Sequence, residues 1–375
     1  MNRRELTGLG ISTPLLGFGT MRLPQDENKV IDQAHVQKMV DLAMEKGVNY
    51  FDTAYPYHEG KSEVSVGLAL QKYPRDSYLL VDKLPMWEVK EKADMERIFN
   101  TQLERCQTDY FDIYLLHSMD ASSFAKAVEF GAYDFVRQKQ REGKVRFVGF
   151  SFHDAPDVLQ HIVDTYTWDI AQIQLNYIDW EMQHADLQYQ ILTDAGIPII
   201  VMEPVRGGFL ANLPDAALAP LQEARPDKSA ASWALRWVAG HENVKVILSG
   251  MGSVEMMADN IDTLGDFVPL DGAEQAALKR AVAALEAIHA VPCTGCRYCM
   301  DCPFGVDIPR IFAIYNDYKK HQNQFICKTS YLKDTPPEHR ADQCKRCGKC
   351  MDHCPQHIRI PDQLAEIHQE ILAMP

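Results

Sequence analysis

The sequence predicts an α/β chain built as a closed (β/α)₈ barrel, with a small cysteine-rich module behind it. Three observations carry this expectation. Short apolar runs rich in β-branched and aromatic residues alternate with amphipathic stretches between residues 11 and 265. The runs cover 15–20, 50–54, 78–84, 111–117, 145–151, 171–177, 198–203 and 244–250, eight in all. Eight strand–helix units in about 270 residues imply a parallel sheet, for which a closed barrel is the natural solution. A doubly wound open sheet is the alternative, but no G-x-G-x-x-G follows any run. Finally, nine of the ten cysteines lie beyond residue 292.

Each element has a local reason. Arg3 and Arg4 precede a mildly apolar stretch, as in a twin-arginine export signal. Glu5 and the Gly/Ser/Thr/Pro-broken run after it suit a short hairpin better. Val36, Met39, Val40 and Ala43 hold one helical face, which Gly47 closes. Comparable helical stretches cover 62–71, 94–105, 134–142 and 229–238. The chain has 375 residues, 46% apolar and 24% charged, an ordinary globular balance. No uncharged apolar run reaches the ~18 residues of a membrane span. A net charge of −14 argues against a basic nucleic-acid surface. The expectation is a cytoplasmic protein with neither nucleic-acid nor membrane partners. From residue 291 on there are 11 Lys+Arg against 10 Asp+Glu, whereas the preceding residues carry 27 against 42. A domain boundary therefore falls near 288–291, giving a barrel over 1–288 and a second domain over 289–375.

Chemistry in such a barrel sits at the C-terminal ends of strands. The second run ends in Asp52, with Tyr57 five residues on; the third holds Lys83; the fourth ends in His117. A lysine cation lowers the pKa of a nearby tyrosine, and an aspartate keeps that lysine charged and aimed. The tyrosine can then protonate a carbonyl oxygen as hydride reaches carbon, while a histidine orients that carbonyl. Taken singly, Asp52 reads as a cap, Lys83 as a solvated end and His117 as a rim histidine. Four such residues at consecutive strand ends point to chemistry.

Over residues 1–265 the sequence resembles the aldo–keto reductases, whose fold is the TIM barrel. The motifs are Leu16-Gly17-Phe18-Gly19-Thr20-Met21, Phe51-Asp52-Thr53-Ala54-Tyr55-Pro56-Tyr57, Asp109-Tyr110-Phe111-Asp112-Ile113-Tyr114-Leu115-Leu116-His117, Gly143-Lys144-Val145-Arg146-Phe147-Val148-Gly149-Phe150-Ser151 and Ala231-Ser232-Trp233-Ala234-Leu235-Arg236-Trp237. The resemblance maps the family's catalytic tetrad onto Asp52, Tyr57, Lys83 and His117, with Tyr55 a rival of the wrong spacing. It implies NAD(P)H-dependent carbonyl–alcohol interconversion. Cofactor-facing positions fall on Thr20, Met21, Ser151, Gln174, Met202, Asp259 and Asn260. Phe152 stands where the family has Asn, and Met202 where an aromatic stacks on nicotinamide. Met256 and Gly250 stand where the family places cations on a 2′-phosphate. A 2′-phosphate wants a guanidinium or ammonium, so NADH is favoured over NADPH. Arg206 is a further candidate for a phosphate contact.

The tail carries Cys293-x₂-Cys296-x₂-Cys299-x₂-Cys302-Pro303 and Cys344-x₂-Cys347-x₂-Cys350-x₃-Cys354-Pro355. The second matches the bacterial ferredoxin run, and the first is one residue short before its fourth cysteine. Cys302-Pro303-x-x-Val306-x-Ile308-Pro309 recurs as Cys354-Pro355-x-x-Ile358-x-Ile360-Pro361. Three closely spaced thiolates surround one cuboidal cluster, and the fourth ligand comes from the other run. The expected ligands are Cys293, Cys296, Cys299 and Cys354 for one [4Fe–4S] cluster, and Cys344, Cys347, Cys350 and Cys302 for the other. Unexchanged fourth ligands would leave the same eight residues binding metal. Disulfides and paired zinc knuckles fit this spacing poorly. Cys327 and Cys106 read as bystanders, and His353 and His357 as flanking groups. Helical spacing covers 310–318 and 362–374, and the polar stretch 319–341 reads as a surface connection. The tail resembles a small, mainly helical ferredoxin-like dicluster domain.

The combination predicts an iron–sulfur oxidoreductase that reduces a small aldehyde or ketone, its clusters passing electrons or shaping the tail. A hydride carries two electrons and a cluster one, and no motif supports the flavin that commonly bridges them. The alternative is a ferredoxin-linked electron-transfer protein using the barrel with a flavin or unusual substrate and little nicotinamide binding. A redox partner, ferredoxin or flavoprotein, fits either reading. Substrate choice is assigned to the loops over 118–131 and 204–228.

Overall fold

A computed structural model describes residues 1–6, 8–288 and 290–374. His289, where the sequence places the domain boundary, lies outside the described residues. Strands β1 (Arg3–Leu6) and β2 (Ile11–Pro14) form the expected antiparallel hairpin. Eight parallel strands follow: β3 (Leu16–Gly19), β4 (Tyr50–Asp52), β5 (Leu79–Pro85), β6 (Phe111–Met119), β7 (Val145–Phe152), β8 (Ile170–Gln174), β9 (Ile199–Met202) and β10 (Val244–Ser249). They close into a barrel in the order β10-β3-β4-β5-β6-β7-β8-β9. Each of the eight predicted runs supplies one strand.

By contact density the chain divides into two compact units, residues 1–205 with 231–270, and residues 206–230 with 271–374. In the first unit, Tyr50, Leu79, Val81, Ile113, Leu115, Ile170, Ile200, Val246 and Leu248 pack together with Leu6 of the hairpin. These are alternate residues along the strands, so one period-2 set fills the barrel interior. A larger core lies between strands and helices, with Val36, Met39, Val40 and Ala43 of helix Gln33–Glu45 wholly buried in it. Burying each large aliphatic side chain stabilises by about 1.5–3 kcal/mol.

Three expectations require correction, two of them for stretches read as substrate loops. Residues 118–131 are not a loop throughout: Ala121–Phe130 is a helix. The Asp120 side chain accepts from the Ser123 N–H and the Ser123 hydroxyl from the Asp120 N–H, a capping box with serine in the place usually held by Glu or Gln. Helix Asp215–Ala224 likewise occupies part of 204–228.

In the second unit, helices Ile308–His321 and Ile360–Ala373 both start with proline in the first turn, immediately after the cysteine repeat. Val306, Ile308, Ile358 and Ile360 all enter one core with Phe312, Leu364 and Ile367. Residues 319–341 are not a bare surface connection, because Gln324–Leu332 is a helix. It buries Cys327 and Tyr331, and the Tyr331 hydroxyl sits 2.7 Å from His368 Nδ1. Its apolar face was hidden because Phe325 and Ile326, which look like the hydrophobic signal, are exposed. Among the described residues, no helix is long and apolar enough to cross a membrane.

Gly149 shows how tightly β7 meets β8. A methyl group there would stand 2.3 Å from the Ile170 carbonyl oxygen. Gly149→Ala should cost at least about 2 kcal/mol of stability, read as a lowered denaturant midpoint at unchanged m-value; an unchanged midpoint would contradict the close approach.

Candidate active site and cluster ligands

Parallel register gathers the reactive residues at one end of the barrel. Asp52 pairs with Val81, Lys83 with Leu115, and Pro85 with His117. Asp52, Lys83 and His117 therefore continue the interior-facing sets where the apolar residues stop. Lys83 is 1% exposed. Its Nζ donates to Asp52 Oδ1 at 2.6 Å and to the Thr53 carbonyl at 2.7 Å. The Thr20 hydroxyl donates to the Asp52 carbonyl at 2.9 Å and lies 2.8 Å from Ser62 Oγ, which braces the strand end.

Tyr57 opens the turn Tyr57–Gly60, in which His58 and Glu59 have φ of 51° and 58°. Left-handed backbone at such residues costs on the order of 1 kcal/mol each. The turn is tied down by His58 Nε2, which accepts the Leu23 N–H at 3.2 Å. It brings the Tyr57 ring to 5.2 Å from Lys83 Nζ, with its centroid 6.1 Å from that of His117. Tyr55 instead lies against the Arg105 guanidinium at 4.6 Å. The structure thus brings Asp52, Tyr57, Lys83 and His117 together. Burial pushes the Asp52 carboxyl up, opposed by the Lys83 ammonium. Burial pushes the His117 imidazole well down, reinforced by Lys83 and His153. Trp87 was not singled out from the sequence. Its ring is 38% exposed and lies 4.9 Å from that of His117, an apolar wall beside the tetrad. Its position just after β5 was the available signal.

The cofactor-facing expectations divide. Ser151 is buried, and its hydroxyl accepts the Ser118 N–H at 2.7 Å. Its register partner on β8 is Gln172, which the sequence reading passed over. Gln172 Oε1 is buried without a hydrogen-bond partner among the described residues. Gln174 pairs with Met202 in register and gives its amide to Asp179 at 2.7 Å. Period 2 puts 172 and 174 on the same face, so the strand pattern could have offered both. Met21 and Met202 are half-buried, and Met256 is exposed. Asn260 turns inward and donates to Ser249 Oγ at 2.8 Å, while Asp259 beside it is half-buried. Arg206 is buried and belongs to the second unit. Arg22, also passed over, lays its stem within 3.2 Å of where a Gly250 Cβ would stand and pairs with Glu203 at 3.6 Å.

Burial dominates the elevation of the Cys299 thiol, with Cys296, Cys293 and Cys354 acting on it. Burial likewise pushes Cys350 up to about 11, with Cys344, Cys302 and Cys347 acting on it. These neighbourhoods are the two exchanged quartets. Gly295 and Arg297 in the first run, and Arg346 and Gly348 in the second, have positive φ at matching offsets from the leading cysteine. Such alternation curls backbone N–H groups into an anion-binding concavity, and Gly295 N donates to Cys293 Sγ at 3.4 Å. A cavity of about 160 Å³ is lined by Cys302, Cys344, Cys347 and Cys350. Among the described residues, no three His, Cys, Asp or Glu close around a single ion. All-thiol donors in quartets fit the wider cuboidal cluster. His353 and His357 are exposed.

Residues 15–283 match the aldo/keto reductase family, and the chain belongs to it. Residues 292–358 match the 4Fe-4S dicluster domain. The protein is thus an oxidoreductase of aldo–keto reductase type that carries a dicluster domain. The uncharacterized oxidoreductase YqkF of Bacillus subtilis is 24% identical over 291 residues, 70% of this chain and 90% of its own. An Escherichia coli protein named NADH-specific methylglyoxal reductase is 26% identical over 284 residues, 64% of this chain and 85% of its own. The structure of a Klebsiella pneumoniae aldo-keto reductase in complex with NADPH superposes with a TM-score of 0.62 at 24% identity. It covers 75% of this chain and 95% of that one, a likeness of fold.

At pH 6 the His117 ring should be neutral in the folded protein, although a free imidazole would be mostly protonated. Ring ¹⁵N shifts of the folded protein test this, and a protonated pattern would contradict it. Because the unfolded chain takes up this proton first, His117 should erode stability as pH falls below about 6.5 and add no pH dependence above it.

Proposed function

We propose that the barrel reduces a small aldehyde or ketone to an alcohol, with Tyr57 as the general acid. The observation that carries this reading is the Lys83 ammonium held between Asp52 and Thr53, 5.2 Å from the Tyr57 ring. A bound reduced nicotinamide supplies the hydride. Tyr57 gives its proton to the carbonyl oxygen, and Lys83 stabilises the phenolate left behind. Asp52 keeps that ammonium aimed. Neutral His117 orients the carbonyl, and Trp87 shields the carbon from water. Ser151 and Gln172 would hold the carboxamide, which is supported by their register pairing and the buried Gln172 Oε1. The eight cysteines would hold two [4Fe–4S] clusters, which supply one-electron transfer when bound. Cysteine spacing of this kind suits cluster ligation better than disulfides, and on that ground we place the protein in the cytoplasm.

Tyr57→Phe should lower kcat by roughly 10²–10⁴-fold while leaving nicotinamide binding intact. Near-wild-type turnover would remove Tyr57 from the acid role.

NADH should bind more tightly than NADPH in a fluorescence titration. Met256 replaces an expected cation, and Arg22 is engaged with Glu203. Tighter NADPH binding would assign the 2′-phosphate to Arg22.

A further inference from the structure

Of the eight cysteines in the two quartets, Cys347 alone is exposed. Its surroundings differ from those of the first run. Residues 344–359 hold Lys345, Arg346, Lys349 and Arg359 against the single acid Asp352, while 293–302 hold only Arg297 and Asp301. All four cations are exposed. Arg346 and Arg359 share Asp362, whereas Lys345 and Lys349 have no acidic partner among the described residues. Two large apolar side chains, Phe304 and Met351, are each 42% exposed. Phe304 lines the same cavity as Cys347, and Met351 lies against Gly348. The rest of the chain is strongly acidic, so an anionic macromolecule is repelled elsewhere and drawn to this patch.

We infer that the Cys347 edge is the electron port of the protein, docking an acidic one-electron carrier protein through Lys345 and Lys349. This rests on the reading of the cysteines as ligands of two clusters. One electron passes from the reduced carrier to the oxidised cluster of Cys344, Cys347, Cys350 and Cys302; the carrier is oxidised, the cluster is reduced, and no bond or proton moves. Phe304 lines the same cavity as Lys345 and Lys349, which suits such an encounter, since the charges steer the approach and the apolar contact sets the pose.

The test uses the full chain, purified anaerobically with its clusters. Reduced flavodoxin, an acidic carrier, is mixed with it and the rise of the flavodoxin semiquinone is followed at low and high salt. Wild type should react fast at low salt and lose about tenfold or more as salt screens the encounter. Lys345→Gln/Lys349→Gln should be slower, and Lys345→Glu/Lys349→Glu slower still, with a flattened salt dependence. Lys333→Glu, an exposed reversal elsewhere, should behave as wild type. Reduced methyl viologen, which needs no docking site, should reduce the clusters of all variants equally, and iron content should be unchanged. Equal flavodoxin rates in wild type and the charge-reversed variant would overturn the port. So would methyl viologen reducing clusters that flavodoxin cannot. A chain without iron and sulfide would overturn the cluster reading itself, and the port with it.

Discussion

A buried ammonium requires a fixed counter-charge, and the mouth of this barrel is organised around one. Lys83 is almost wholly removed from water and meets Asp52 and the Thr53 carbonyl. Removing either partner of such a pair typically costs 3–5 kcal/mol, because the other is left charged and dry. The pair therefore constrains the ends of β4 and β5 together. The same charge acts on two neighbours at the mouth: it lies beneath the Tyr57 ring, and it helps keep His117 neutral. The surrounding packing is consistent with that demand. Thr20 braces the backbone of Asp52, Ser62 donates to the Thr20 carbonyl behind it, and Gln102 donates to the Asp82 carboxyl on the outward face beside Lys83.

The second unit meets a different constraint. Eight thiols cannot all ionise in a half-buried shell without cations between them. Each cysteine run bends its backbone into positive φ twice, at the same offsets, and each ends in a Cys-Pro step a few residues ahead of a helix, Ile308–His321 or Ile360–Ala373. In one run Gly takes the earlier left-handed position and Arg the later; in the other the order is reversed. The repeat is thus one of backbone shape, only partly one of residue type. Its apolar pairs, Val306 with Ile308 and Ile358 with Ile360, share a core, which brings the ends of the two runs towards each other's thiols.

Hydride chemistry and one-electron chemistry therefore occupy one polypeptide, each with its own machinery. On the proposed reading the tetrad would move a proton alongside an electron pair, and the cysteine quartets would hold clusters that take single electrons. Lys345, Arg346, Lys349 and Arg359 fall within the second cysteine run and its flank, whereas the residues before 291 are strongly acidic.

Much of this was legible in the sequence. Short apolar runs marked all eight barrel strands, because a strand buried on both faces has few other ways to be written. Cysteine spacing pointed to the dicluster domain, because a cuboidal cluster tolerates few local spacings. Strand-end position picked out Asp52, Lys83 and His117, because register in a parallel barrel puts strand ends at one mouth. What the sequence left undecided depended on partners distant in the chain. Tyr57 was separated from Tyr55 by the turn that aims one ring at Lys83 and the other at Arg105. Gln172 emerged beside Ser151 only through the pairing of β7 with β8, and Trp87 only through its contact with His117. The helix Gln324–Leu332 was concealed because its buried side chains, Cys327 and Tyr331, find their places against other helices. Local pattern determined the elements, the candidate cluster thiols and the candidate chemistry. Tertiary structure decided which side chain of each neighbouring pair faces the site, because that choice is set by contacts across strands and helices.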